Sequence, residues 1–259
     1  MKKYVKTFTL SFSHTLKNRK SLAGLSVFLI ACLVIFSNLW KVLAAQINVF
    51  HLDPKELLWY IALNEWILIS IPRPEREIEM DLRNGKLAYS LPKPISYPVA
   101  IFCESFGIYC VNLLVLGIVA FGFTWLQVGG LPVSLSTFPF IGLTALLAGG
   151  VGIIFQMIIG LFALWIREIE PLVWIWEKLL FALGGLLLPL SVYPPLWQTV
   201  AKYTPFPYIL GERSALVIHN EFSFIFVVIA ALVFWGIAGI ACLSFLYRKG
   251  LKILNMEGG

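Results

Sequence analysis

Long uncharged runs separated by short polar clusters set the pattern of this chain. Residues 21–40 carry no charge. At about 1.5 Å per helical residue such a run crosses a hydrocarbon core of about 30 Å, and it predicts a first span over about 22–45. Asp53-Pro54 supplies a helix cap and a proline at the first helical position, opening a second span at about 54–71 that stops at Pro72-Arg73-Pro74. Ser105 to Ile166 is uncharged throughout, too long for one helix. The turn-rich "QVGGLPVSLSTFP" at 127–139 divides it into span 3 (about 96–126) and span 4 (about 139–166). After Arg167-Glu168-Ile169-Glu170-Pro171, span 5 is expected over about 172–190 and span 6 within Phe222–Tyr247. The expectation is an all-α polytopic membrane protein: six transmembrane helices in a single domain over residues 1–259.

Two further stretches are amphipathic. Tyr4, Phe8, Phe12 and Leu16 recur every four residues with lysines between them, which predicts an interfacial helix over 1–20 at the inner membrane surface; a disordered basic tail is the plainer alternative. The positive region is too long for a signal peptide, and no small-residue cleavage site follows it. In the segment 190–221, Leu196, Trp197, Val200 and Tyr203 share a helical side, so this stretch is expected to re-enter or lie in the outer leaflet. An aromatic interface belt is the alternative there.

Composition agrees with a bilayer as solvent: 59% of residues are hydrophobic and 13% charged, with a mean hydropathy of +0.85. The net charge of +6 reads as loop asymmetry and not as nucleic-acid binding. Lys2, Lys3, Lys6, Lys17, Arg19 and Lys20 precede span 1; Arg73, Arg76, Arg83, Lys86 and Lys93 follow span 2; Arg167 follows span 4; Arg248, Lys249 and Lys252 follow span 6. Both termini are therefore expected in the cytoplasm. Cys32, Cys103, Cys110 and Cys242 lie in apolar runs without a CxxC spacing and read as small buried hydrophobes. His14, His51 and His219 are scattered, and neither HExxH nor a phosphate-binding loop occurs. No metal site, catalytic constellation or cofactor of this chain's own is expected. Any ATP and Mg would sit on a partner.

The polar stretch 72–96 needs its own explanation. "PEREIEMDLRNG" predicts a short helix opened by Pro74, with Glu75 and Glu77 at its positive end, Arg83 at its negative end and Asn84-Gly85 after it. Ile78 and Leu82 share an apolar face, and Leu87, Tyr89 and Leu91 follow. Such a rib docks into a groove on another protein, or else rests on lipid headgroups or on the chain's own helices.

The stretch "EIEMDLRNGKLAYSLPKPISYP" resembles the loop between the second and third spans of ABC-2-type transporter permeases, through Glu79, Gly85, Leu87, Leu91, Pro94, Ile95 and Ser96. "LGGLLLPLSVYPPLWQTVAKYTPFPYI" at 183–209 is similar to that family's segment after span 5, through Gly184, Gly185, Pro189, Pro194, Pro205 and Phe206. The resemblance covers essentially the whole chain and is closest to a branch whose permeases occur beside a second permease and an ATPase. It implies two permease chains, as homo- or heterodimer, forming a pore lined by spans including 2 and 5 in the plasma (inner) membrane. Each would grip an ATP-binding subunit through the N-terminal helix and the 72–96 loop, with Glu79, Arg83, Asn84, Gly85, Lys86, Leu87, Tyr89 and Leu91 as its coupling residues. It implies an external gate at the six positions of 183–209, and export.

Ionisable groups inside spans are costly unless paired or wet, which makes each a functional candidate. Glu65, beside Asn64 in span 2, and Glu177 in span 5 are candidates for the translocation path. For Glu104 and Glu177 the preferred reading is structural pairs near the inner interface, and Lys178 can snorkel. These carboxylates also support an alternative, an ion-coupled secondary transporter with Glu65, Glu104 and Glu177 as proton relay. The apolar, aromatic-rich spans suit an amphiphilic or lipid-linked substrate.

Overall fold

The computed structural model describes residues 2–46, 53–86, 96–130, 137–217 and 222–257. Helices α1 (Lys2–Lys17), α2 (Arg19–Gln46), α3 (Pro54–Ser70), α4 (Pro74–Arg83), α5 (Tyr97–Val128), α6 (Phe138–Leu161), α7 (Glu170–Ala182), α8 (Pro195–Lys202), α9 (Phe206–Ile209), α10 (Gly211–Ser214) and α11 (Phe222–Glu257) follow one another, with no strand among the described residues.

Among the described residues four helices are long and apolar enough to cross a membrane, over Arg19–Leu39, Tyr97–Val128, Phe138–Leu164 and Ser223–Lys252. The second and fifth expected spans fall on shorter helices of 17 and 13 residues, α3 and α7. Asp53 caps α3 as the sequence predicts, its carboxylate accepting from the Lys55 N–H at 2.9 Å. Every side chain from Leu57 to Ile67 is buried, so α3 is the hub of the bundle and needs no polar face. Span 5 was expected to run to about 190; the helix stops at Ala182 instead. The reason is local. Gly185 takes φ +67, a left-handed conformation that glycine alone adopts without strain, and Pro189 then starts a short 3-10 turn.

The helices alternate in direction, giving the bundle two ends. One end gathers α1, α4, the start of α5 and the end of α6; α4 is seated there because Gly160 of α6 lets the chain of Glu75 approach. A Cβ at Gly160 would lie 2.9 Å from the Glu75 Cα. Between α5 and α6 a similar device operates, since a side chain at Gly149 would overlap the ring of Tyr109, whose hydroxyl donates to the Ala145 carbonyl at 2.7 Å.

Helix α1 forms where the sequence predicts it, but its apolar side rests on protein. Tyr4, Phe8 and Phe12 are half-buried, Phe8 faces Phe106 of α5, and Ser11 donates to the Glu104 carbonyl at 2.9 Å. The backbone N–H of Ser96 donates to the Tyr4 hydroxyl. Leu16, expected on that face, is 52% exposed. None of the four cysteines is paired; Cys242, expected to be buried, is exposed on α11.

Candidate functional site

The polar groups that matter for function lie on or beside α3 and α7. Ending a helix in an apolar bundle frees carbonyl groups that must find donors. Here α3 and α10 provide them. Tyr60 donates to the Gly185 carbonyl and, at 3.3 Å, to that of Leu188. Asn64 donates to the carbonyls of Gly185 (3.2 Å) and Leu186 (3.0 Å), and the Gly211 N–H to that of Gly184 (2.8 Å). Arg213, fully buried, closes the clamp by donating to the Leu63 carbonyl at 2.6 Å and to the Ser214 hydroxyl at 2.8 Å. The broken segment 183–188 is thus bolted to one face of α3.

Of the positions expected at an external gate, Gly184, Gly185 and Pro189 belong to this break and are buried. Phe206 packs on Trp176 with ring centroids 5.0 Å apart, and Pro205 and Pro194 precede α9 and α8. Leu196, Trp197, Val200 and Tyr203 all turn outward, giving the α8 region one apolar exposed side.

Beside the broken segment a cleft of about 650 Å³ opens between α2, α3 and α7, floored by α5 and α6, with Leu186 and Leu210 in its lining. Phe28, Cys32, Phe36, Trp176 and Phe181 form apolar walls; Glu65, Asn112 and Gln156 lie among them, with Arg73, Glu177 and Lys178 towards the α4 end. Glu65 is only 4% exposed, and no donor reaches it among the described residues. Asn64, proposed beside it for a translocation path, is turned away to the broken segment and does not line the cleft. Glu177 lines it and pairs with Arg73 at 3.2 Å. Lys178 lies over the Trp174 ring at 5.4 Å.

The α3–α4 elbow carries a ladder of charges onto α7. Arg73 meets Glu177, Arg76 meets Glu170 at 3.0 Å, and Arg83 donates to Glu79 (2.6 Å) and to the Arg167 carbonyl (2.9 Å). The helix expected over 74–83 is present, with Gly85 at φ +66 after it. Its apolar rib is spent internally, because Ile78 is buried against Gly160. Met80, Arg83, Asn84, Gly85 and Lys86 are exposed. Asp81 holds Lys86 at 2.9 Å and accepts from the Tyr97 hydroxyl at 3.1 Å, fixing the end of α4 to α5; this hydrogen bond holds the Lys86 ammonium above its ordinary range. Leu87, Tyr89, Leu91, Pro94 and Ile95 lie outside the described residues.

Glu75 is 2% exposed and one of its carboxylate oxygens has no partner among the described residues. Burial pushes it up to about 7; its own backbone N–H, Arg73 and Arg76 pull the other way, and Glu177 adds to the rise. Burial also raises Glu77, with Glu104 and Asp81 adding and Lys86 opposing, which places Glu104 beside the α4 end of the bundle. Tyr60, Arg213, Asp81 and Glu75 were not singled out as site residues from the sequence. The Tyr60/Asn64 pair, one turn apart on the helix that also carries Glu65, was the one readable signal.

A bundle of apolar helices, several of them long enough to cross a membrane, with a broken helix clamped inside it and a charged elbow at one end, is the architecture of a multi-pass membrane protein. The family model described as "ABC-2 family transporter protein" matches residues 55–258, and the chain belongs to that family as an ABC-2-type permease. The match takes in everything from α3 to α11. No curated protein matches the chain.

Proposed function

We propose that this chain is the transmembrane subunit of an ATP-driven exporter in the plasma (inner) membrane, paired with a second permease chain. A separate ATP-binding subunit would hold ATP and Mg and dock at the α4 end. That end gathers Arg73, Arg76, Arg83, Lys86, Arg167, Arg248, Lys249 and Lys252, which makes it the cytoplasmic one by the excess of basic residues. The observation that carries the reading is the double ion-pair tie between α4 and α7. A push on the exposed tip of α4 reaches α7 through Arg73–Glu177 and Arg76–Glu170, and α7 leads into the segment that α3 holds by its carbonyls. Closure of the ATPase pair then changes the width of the cleft beside Glu65, the path proposed for an amphiphilic or lipid-linked substrate.

The test is gentle extraction of tagged protein from its native membrane, identification of what co-purifies, and assay of ATP hydrolysis. A stoichiometric ATP-binding subunit is expected, and it should be lost or uncoupled when Leu87 and Tyr89 are both changed to Asp. Recovery of the chain alone and inactive towards ATP in several mild detergents would refute the reading.

A further inference from the structure

The cleft beside α3 has an uneven supply of hydrogen-bonding groups. Its buried acceptor is the Glu65 carboxylate; Gln156 also lines the cleft, but its side-chain oxygen is enclosed behind the lining and not presented to it. The donors nearby are already engaged. The Asn112 amide donates to the Ser70 carbonyl at 3.1 Å, and Arg73 is taken by Glu177. Lys178 is exposed, over the Trp174 ring. A carboxylate at this depth with nothing to balance it is costly. The walls meanwhile offer the rings of Phe28, Phe36 and Trp176, whose faces attract cations, and the volume is that of a site for a drug-sized molecule.

We infer that the cleft takes a lipophilic cation, a protonated amine on an apolar body, with its N–H groups donating to Glu65 and its body against the aromatic walls. This rests on the permease reading and narrows its substrate class from amphiphiles in general to cationic ones. Neutral and anionic amphiphiles of the same size lack the positive charge that the Glu65 carboxylate requires.

Cys32 lines the cleft, and Cys103 does not, so the chain contains its own reporter and reference. The full-length protein in zwitterionic nanodiscs would be alkylated in the presence of dodecylamine, dodecanol or dodecanoate, which share one chain and differ in head group. Peptide mass spectrometry would then give the rate at each cysteine. The amine is expected to slow Cys32 alkylation by about tenfold relative to dodecanol, the scale of one charge-assisted hydrogen bond, and to leave Cys103 unchanged. Glu65→Gln should abolish that protection, read as the ratio of Cys32 rates with and without the amine because the Glu65 charge also acts on the Cys32 thiol, while Cys103 keeps its basal rate. If Glu65→Gln alters Cys103 reactivity and so proves misfolded, Phe28→Leu, which removes an exposed ring from the cleft wall, serves in its place and should weaken protection by about threefold. Equal protection by all three compounds, stronger protection by dodecanoate, or full protection retained in a folded Glu65→Gln protein overturns the inference. The permease reading is judged separately: an ATP-binding subunit that co-purifies while the amine fails to protect Cys32 sinks only the cation site.

Discussion

The Arg73 guanidinium and the Glu177 carboxylate lie 3.2 Å apart, joining the elbow before α4 to the middle of α7 across 104 residues of sequence. Both side chains are about half exposed, so solvent screens the pair and its contribution to stability is about 0–1 kcal/mol. Its mechanical value is separate. Arg73→Glu is expected to leave the melting temperature within a few degrees and to lower substrate-stimulated ATP turnover of the purified complex several-fold. The exchange Arg73→Glu with Glu177→Arg should restore turnover. Failure of the double variant to recover, with both singles impaired, would show that the pair does not transmit.

Glu75 predicts a pH dependence. Its folded-state value of about 7 lies above the ordinary 4.5, so between those values the folded protein binds more protons than the unfolded chain. Stability therefore falls as pH rises through that window, and the cost is complete above about 7. Glu75→Gln should remove it, gaining on the order of 3 kcal/mol at pH 8 and little at pH 4. Thermal melting in nanodiscs across that range reads the effect. A variant whose melting temperature tracks the wild type at every pH would contradict it.

Gly160→Ala would bring a methyl group to 2.9 Å from the Glu75 Cα, which is backbone and cannot step aside as a side chain would. The expected cost is about 1–3 kcal/mol, from lifting α4 off α6. Hydrogen exchange should then speed up over 74–83 while α5 stays protected.

Tyr60→Phe and Asn64→Ala each strip donors from the carbonyls of Gly185, Leu186 or Leu188. Leaving a buried carbonyl unsatisfied costs about 1–3 kcal/mol. The two substitutions share an acceptor, so their effects should be non-additive in a double-mutant cycle. Strict additivity would mean that the clamp is not one unit.

How much of this the sequence disclosed follows from range. The uncharged runs, Asp53-Pro54 and Pro74…Asn84-Gly85 located α2 to α6 because caps, prolines and hydropathy act over a few residues. Whether the rib at Ile78 and Leu82 faced a partner or the chain itself depended on Gly160, about eighty residues away, and local pattern cannot carry that. The same holds for Glu177, read both as a path residue and as half of an ion pair; it lines the cleft and pairs with Arg73. Gly184-Gly185 stood inside the expected fifth span, so the break after Ala182 was missed, and its consequence, a set of carbonyls needing Tyr60, Asn64 and Gly211, emerged only when the partners met.

That clamp also imposes an order on biogenesis. Asn64 must wait for a carbonyl 121 residues downstream, and the Leu63 carbonyl for an arginine 150 residues downstream. At about 5–20 residues per second, ribosomes need on the order of ten seconds to supply them. Through that interval Tyr60 and Asn64 lack the carbonyls that they bind in the finished fold. The nascent first half is thus a client for whatever escorts polar helices, and its release is timed by the arrival of the second half.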